Sequence, residues 1–142
     1  MGCTKVRTED WSDLKHFRPD EQTPWGTPAF PEPERMKLAQ MLLMDRLRGN
    51  IGLPIYIHCG YEERKSGQHP KGGACDCSCP DLGNPWLFWR EAIKLPFEGI
   101  GVYENWNNPG IHLDVGRFTS PMSAKLFWWT EVVDGKQVYH YF

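Results

Sequence analysis

The sequence predicts a single α+β domain with a mainly antiparallel sheet and helices packed on it, and three observations carry that expectation. Two stretches of helical period precede strand-like runs that follow one another in the chain, an order that gives adjacent strands rather than a regular parallel βαβ array. Asp134-Gly135 sits between two alternating runs, a strong two-residue hairpin signal. The length of 142 residues suits one domain able to bury roughly 70% of its extended-chain surface.

The elements follow in order. Residues 17–33 contain Pro19, Pro24, Pro28, Pro31 and Pro33, each of which removes a backbone donor and disfavours helix in the residue before it. These residues are expected to run extended, within a Pro-rich N-terminal arm (1–33) pinned to the body (34–142) by Trp11, Phe17, Trp25 and Phe30. A helix is expected over 34–48, where Met36, Ala39, Leu43 and Leu47 recur at steps of three or four, with Gly49 as its stop. Residues 53–61 alternate as a half-buried strand, placing Ile55, Ile57 and Cys59 on one face and Tyr56 and His58 on the other. A loop spans 62–73. Residues 74–79 alternate again, with Cys75, Cys77 and Cys79 opposite Ala74, Asp76 and Ser78. Asn84-Pro85 is an N-cap and first-turn pair for a second helix over 86–94, ended by Pro96. Strands are expected over 100–104 and 110–115 and in the hairpin 126–133 with 136–141. Of the neighbouring Trp128 and Trp129, at most one can face inward.

Composition narrows the function. Lys plus Arg total 16 against 18 Asp plus Glu, a net charge of -2, so no global positive field exists to bind a nucleic-acid backbone. No apolar run approaches the ~18 residues of a membrane helix, and Met1-Gly2-Cys3-Thr4-Lys5 leads into polar sequence rather than a signal-peptide core. Synthesis in the cytoplasm, with neither nucleic acid nor membrane as partner, is the expectation. Val6 stands where a myristoylation motif wants Ser or Thr, so lipidation is set aside. The five cysteines are read as free thiols or metal ligands, and the alternate spacing of Cys75, Cys77 and Cys79 favours core packing over a turn that wraps zinc.

The chemistry concentrates in His69-Pro-Lys-Gly72-Gly73-Ala74-Cys-Asp76 and in Ile111-His112-Leu113-Asp114. Two histidines and one carboxylate suit a catalytic zinc, which takes three protein ligands and leaves a fourth position for water. His69 ends a loop, Gly72 and Gly73 permit a sharp reversal, and Asp76 points back from the strand that follows.

The pattern His69-x-x-Gly72-x-Ala74-x-Asp76 followed by His112-x-Asp114 resembles the signature of the zinc D-Ala-D-Ala carboxypeptidase superfamily, which includes phage endolysins and shares its fold with the Hedgehog signalling domain. Gly99-Ile-Gly101-Val-Tyr103, the ending Val115-Gly116-Arg117 and the start Phe17-Arg-Pro19-Asp-Glu21 resemble its phage branch. The resemblance implies a Hedgehog-like fold, one Zn2+ per chain on His69, Asp76 and His112, and hydrolysis of a peptide bond in peptidoglycan stem peptides, with a monomer as the working expectation. With no export signal in the sequence, delivery to the wall by a holin or within a virion is the expectation. A carboxypeptidase and an endopeptidase both fit the resemblance.

Two departures stand out. Gly67 replaces the usual serine two places before the first histidine, and Glu62 follows Cys59-Gly60-Tyr61 where the family has arginine. Arg64 is the candidate substitute, with Tyr61 and Trp106 as further substrate-binding residues. Asp114 and Glu104 are the candidates for the general base. A wall- or protein-binding module without catalysis, and a metal-binding or redox protein built on the cysteines, are the readings from other classes.

Overall fold

The computed structural model describes residues 5, 7–64, 66–116 and 125–142. The start Met1-Gly2-Cys3-Thr4 and Arg117 lie outside the described residues. The architecture is α+β in one small domain: α1 (Thr8–Asp13), α2 (Leu38–Ile51), β1 (Tyr56–Cys59), β2 (Ala74–Ser78), α3 (Pro85–Ala92), β3 (Gly99–Tyr103), β4 (Gly110–Asp114), β5 (Leu126–Val133) and β6 (Lys136–Tyr141). The strands form one six-stranded sheet in the order β1-β2-β4-β3-β5-β6. Every neighbouring pair is antiparallel except β3 with β5, which makes the sheet mixed.

Alternation along the strands sorts the sheet into two unlike faces. Ile57, Cys75, Cys77, Ile100, Val102, Ile111 and Leu113 point into the core with Met41, Met44, Leu47 and Phe88. The three cysteines of β2 and its end are therefore packing residues, and burial pushes the Cys75 thiol up to about 12. Asp76, His112, Asp114, Tyr103 and Trp128 occupy the opposite face.

Helix α2 begins at Leu38, four residues later than the periodicity suggests, because Lys37 N donates to Gly72 O at 2.8 Å and holds that point of the chain extended. Its buried face is Gln40, Met41, Met44 and Leu47, while Ala39 is exposed. Gln40 enters the core because its Nε2 donates to Leu113 O at 3.0 Å, which compensates the burial of the amide. Gly49 lies inside the helix, and Gly52, in the left-handed conformation, ends it. Asn84 caps α3 as expected: its Oδ1 accepts from Trp86 N and Leu87 N at 3.0 and 3.1 Å. Positive φ at Asp134 (52°) and Gly135 (75°) closes the β5-β6 hairpin.

In the arm, Trp11, Phe17 and Phe30 are buried, whereas Trp25 is 56% exposed. Trp25 instead sets its ring edge-on to His58 at 5.2 Å.

Candidate metal centre

Strand β1 is shorter than its alternation suggests, and a bulge interrupts its pairing: Ile57 faces Cys77, yet Cys59 faces Asp76, so His58 and Cys59 together oppose one residue of β2. The extra residue rotates Cys59 off the core face. Its thiol reaches the site side, with Sγ 3.7 Å from His69 Nδ1 and 3.7 Å from Glu62 Oε2. The expected face of Cys59 is thus corrected by a register shift that strict alternation cannot express.

Strand pairing also sets Asp76 directly across from His112. His69 arrives from the loop before β2, on a single 3-10 turn (His69–Lys71) that Gly72 terminates at φ 74°. A Cβ on Gly72 would fall 1.8 Å from Arg35 O, so only glycine allows the loop to close here.

The hydrogen bonds fix how each imidazole is presented. His69 Nδ1 lies 2.7 Å from Gly60 O, and a carbonyl can only accept, so this nitrogen carries the proton. The lone pair of neutral His69 therefore sits on Nε2, which is buried, 3.3 Å from Asp76 Oδ1, and without a hydrogen-bond partner among the described residues. His112 Nε2 lies 2.6 Å from Asp114 Oδ2 and donates to it, leaving Nδ1 to face Asp76 Oδ1 at 2.9 Å. Three electron-rich atoms, His69 Nε2, Asp76 Oδ1 and His112 Nδ1, thus converge. Such a cluster needs a cation, either protons on the imidazoles or a metal ion.

The ionisation behaviour agrees. Burial alone would lower both histidine pKa values, but the Asp76 carboxylate beside Nε2 and the Cys59 thiol beside Nδ1 raise His69 to about 9, and hydrogen bonds to Asp114 and Asp76 raise His112 to about 9. Burial acts to raise the Asp76 pKa, yet the two imidazoles outweigh it and hold the carboxyl far below its usual range. Burial raises the Cys59 thiol.

One atom each from Cys59, His69 and Asp76 lie within 4.8 Å of one another, a group that could hold a metal ion. The residues fit such an ion on three counts: an orphaned buried nitrogen aimed at a carboxylate, and a second imidazole beside them. The third is that each back-side N–H is already bound to a carbonyl or carboxylate, as metal-ligating histidines usually require.

The remaining candidates are spread around this centre. Asp114 is fully buried and bound to His112 Nε2, which makes it the group that orients His112. Glu104 accepts from Trp86 Nε1 at 3.0 Å and lines a separate cavity with Ser78, Asn84 and Asn108. Trp106 stacks on Tyr103 at 4.3 Å and lines, with Trp25, His58 and Asp76, the cavity of about 290 Å³ above the centre. Tyr61 is buried beneath the Arg35 guanidinium, and Arg64 is paired with Glu62.

Sequence reasoning did not place His58 at the site. Its ring stands between Trp25 and Trp106, its Nε2 is 2.9 Å from Ser78 Oγ, and burial lowers its pKa, which keeps the imidazole neutral near pH 7. Its position opposite Ile55 and Ile57 allows it to face a pocket, as it does, but by itself names no site. Compared with protein families, curated proteins and solved structures, the chain matches none.

Proposed function

We propose that this protein is a zinc-dependent peptidase that hydrolyses a peptide bond in bacterial peptidoglycan stem peptides, with the metal held by His69 Nε2, Asp76 and His112 Nδ1. The observation that carries the reading is the convergence of those three atoms with both back-side imidazole N–H groups already committed. The stem-peptide substrate and the Hedgehog-like fold rest on the resemblance of the His69 to Asp76 and His112 to Asp114 motifs. When bound there, zinc supplies Lewis-acid chemistry, polarising the scissile carbonyl and making water acidic enough to attack at neutral pH.

The chain's own residues do the rest. Asp114 fixes the tautomer and orientation of His112, and Gly60 O does the same for His69. His58, neutral and lining the cavity over Asp76, accepts the proton of the attacking water. Trp106 forms the rim against which substrate lies.

A second reading follows from the Cys59, His69 and Asp76 group: a thiolate-containing metal site that binds without hydrolysing. One experiment separates the two. Zinc per chain is measured by elemental mass spectrometry on protein purified without chelator, with stem-peptide hydrolysis alongside. The expected result is about one zinc in wild type and Cys59→Ser, loss of zinc in His112→Ala, and zinc affinity about 10 to 100-fold weaker in Asp114→Asn. His58→Ala keeps its zinc while kcat falls about 100-fold or more. Zinc lost in Cys59→Ser but kept in His112→Ala would transfer the assignment to the thiolate site, and wild type without zinc would end the peptidase reading.

A further inference from the structure

Trp25 is 56% exposed, yet it is held in place. It sits in a closed turn in which Thr23 N donates to Thr27 O at 2.7 Å, Gly26 N donates to Thr23 O at 3.0 Å, and the two threonine hydroxyls are 2.7 Å apart. The His58 ring lies 5.2 Å from Trp25 and 5.7 Å from Trp106, and this second indole is fixed by stacking on Tyr103 at 4.3 Å. Both indoles, with the Asn107 and Asn108 side chains, line the cavity of about 290 Å³, a volume at the small end of ligand pockets.

The aromatic surface continues past the cavity. Tyr103 meets Tyr139 edge-on at 6.5 Å, and Tyr141, on the same face of β6, is 63% exposed. Every side chain on this face of β3, β5 and β6 is uncharged, while Glu131, Lys136 and His140 alternate to the other face. Beside the rings, Asn105 Nδ2 donates to Gln137 Oε1 at 2.9 Å, and Gln137 Nε2 donates to the Tyr139 hydroxyl at 2.8 Å. Asp76, the acid that lines the cavity, is already engaged by His69 and His112. The surface therefore offers flat rings and amides without a free charge. An organic cation is held best where a carboxylate is left uncompensated beside the rings, and an anion wants lysine or arginine. A sugar ring wants neither. A pyranose with equatorial substituents turns C–H groups to both of its faces, where they meet the negative face of an aromatic ring, and hydroxyls to its edge, where amides bond them.

We infer that the cavity between Trp25 and Trp106 binds one ring of an uncharged oligosaccharide built of all-equatorial pyranoses, with further rings lying over Tyr103 and Tyr139. This goes beyond the hydrolase reading, which concerns a peptide bond, and it stands whether or not the chain hydrolyses one.

The test titrates the full chain, with zinc and after chelation, by calorimetry with cellotetraose and with N-acetylchitotetraose. At least one of the two is expected to bind at millimolar affinity or tighter, equally in both states of the protein. The corresponding galactose tetramer, whose axial hydroxyl breaks one apolar face, is expected to bind about tenfold more weakly or not at all. Trp25→Ala, which removes only a surface ring and should melt like wild type, and Trp106→Ala each weaken binding about tenfold or more. Trp106→Phe keeps a stacking ring and stays within about threefold of wild type. Failure of both tetramers to bind, unchanged binding in either alanine variant, equal binding of the galactose tetramer, or binding that requires zinc overturns the inference. Tetramethylammonium binding more tightly than either sugar overturns it in favour of a cation site. Dimerisation in sedimentation that Tyr141→Ala abolishes, with no tetramer bound, overturns it in favour of a contact between two copies of the chain. None of these outcomes depends on peptide hydrolysis, so this inference and the peptidase reading fail separately.

Discussion

At the scale of single residues the centre is a proton trap in the absence of metal, and this has a sign that can be worked out. His69 and His112 have folded-state pKa values near 9 against an ordinary 6.5, so their contribution to stability is complete below about pH 6.5 and is lost as pH rises through about 9. Asp76 is shifted the other way: its contribution is present above an ordinary 3.8 and disappears as pH falls through the depressed folded value. Chelator-treated protein should therefore melt highest between about pH 4 and 6.5 and lose melting temperature toward pH 9, whereas zinc uptake should strengthen over the same rise because the imidazoles must shed protons to bind. A flat melting profile from pH 5 to 9 without metal would contradict the convergence of the three groups. That His69, Asp76 and His112 come together is legible in the sequence, because residue types, spacing and glycines all agree. Cys59 was not, because its orientation depends on a two-against-one pairing that leaves no trace in a pattern of alternating residues. Trp25 was misplaced for a different reason: a large aromatic is equally at home in a core or on the rim of a cleft.

At the scale of elements, what positions the site is the tight junction between the start of α2 and the loop before β2. Lys37 N bonds Gly72 O, and Gly72 itself, at φ 74°, leaves no room for a Cβ beside Arg35 O. Gly72→Ala should cost about 2 kcal/mol or more in urea unfolding, through backbone strain and through displacement of the adjacent 3-10 turn that carries His69. Zinc affinity should fall with it, and a variant as stable as wild type would show that the loop can close another way. The same junction explains why the start of α2 was misread. Met36 is fully buried and fits the helical period, but it closes a separate 3-10 turn, its N–H donating to Pro33 O at 3.2 Å, and the next residue, Lys37, is bonded to Gly72. Gln40 then hid the true buried face, since a polar side chain in a core is recognisable only once its partner, Leu113 O, is known. The cap of α3 and the closing hairpin depend on neighbours in sequence alone, and both were readable without the structure.

At the scale of the whole molecule, the N-terminal arm is hydrogen-bonded into the frame of the candidate metal centre. Phe30 is buried at 2% exposure, and Ala29 O beside it accepts from Gly60 N at 3.2 Å, while Gly60 O in turn holds His69. Phe30→Ala should cost about 3 to 5 kcal/mol, a large share of the stability of a domain this size, and should weaken zinc binding although Phe30 touches no ligand atom. Unchanged zinc affinity in a folded Phe30→Ala variant would uncouple arm from centre. The α+β class was legible from the order of elements; the parallel contact of β3 with β5 was not, because the pairing partner of a strand is chosen by the packing of the entire sheet. The placement of Asp76 and His112 side by side on the inner strands β2 and β4 has one further consequence. Centres assembled from surface loops can breathe locally, but here the ladder bonds that hold the two ligands are those that hold the domain together, so the backbone carrying them opens only at a free energy close to that of global unfolding. Occupied or empty, the part of the candidate site carried by Asp76 and His112 would keep its shape, so that any adjustment to an ion falls on side-chain rotation and on the loop that carries His69.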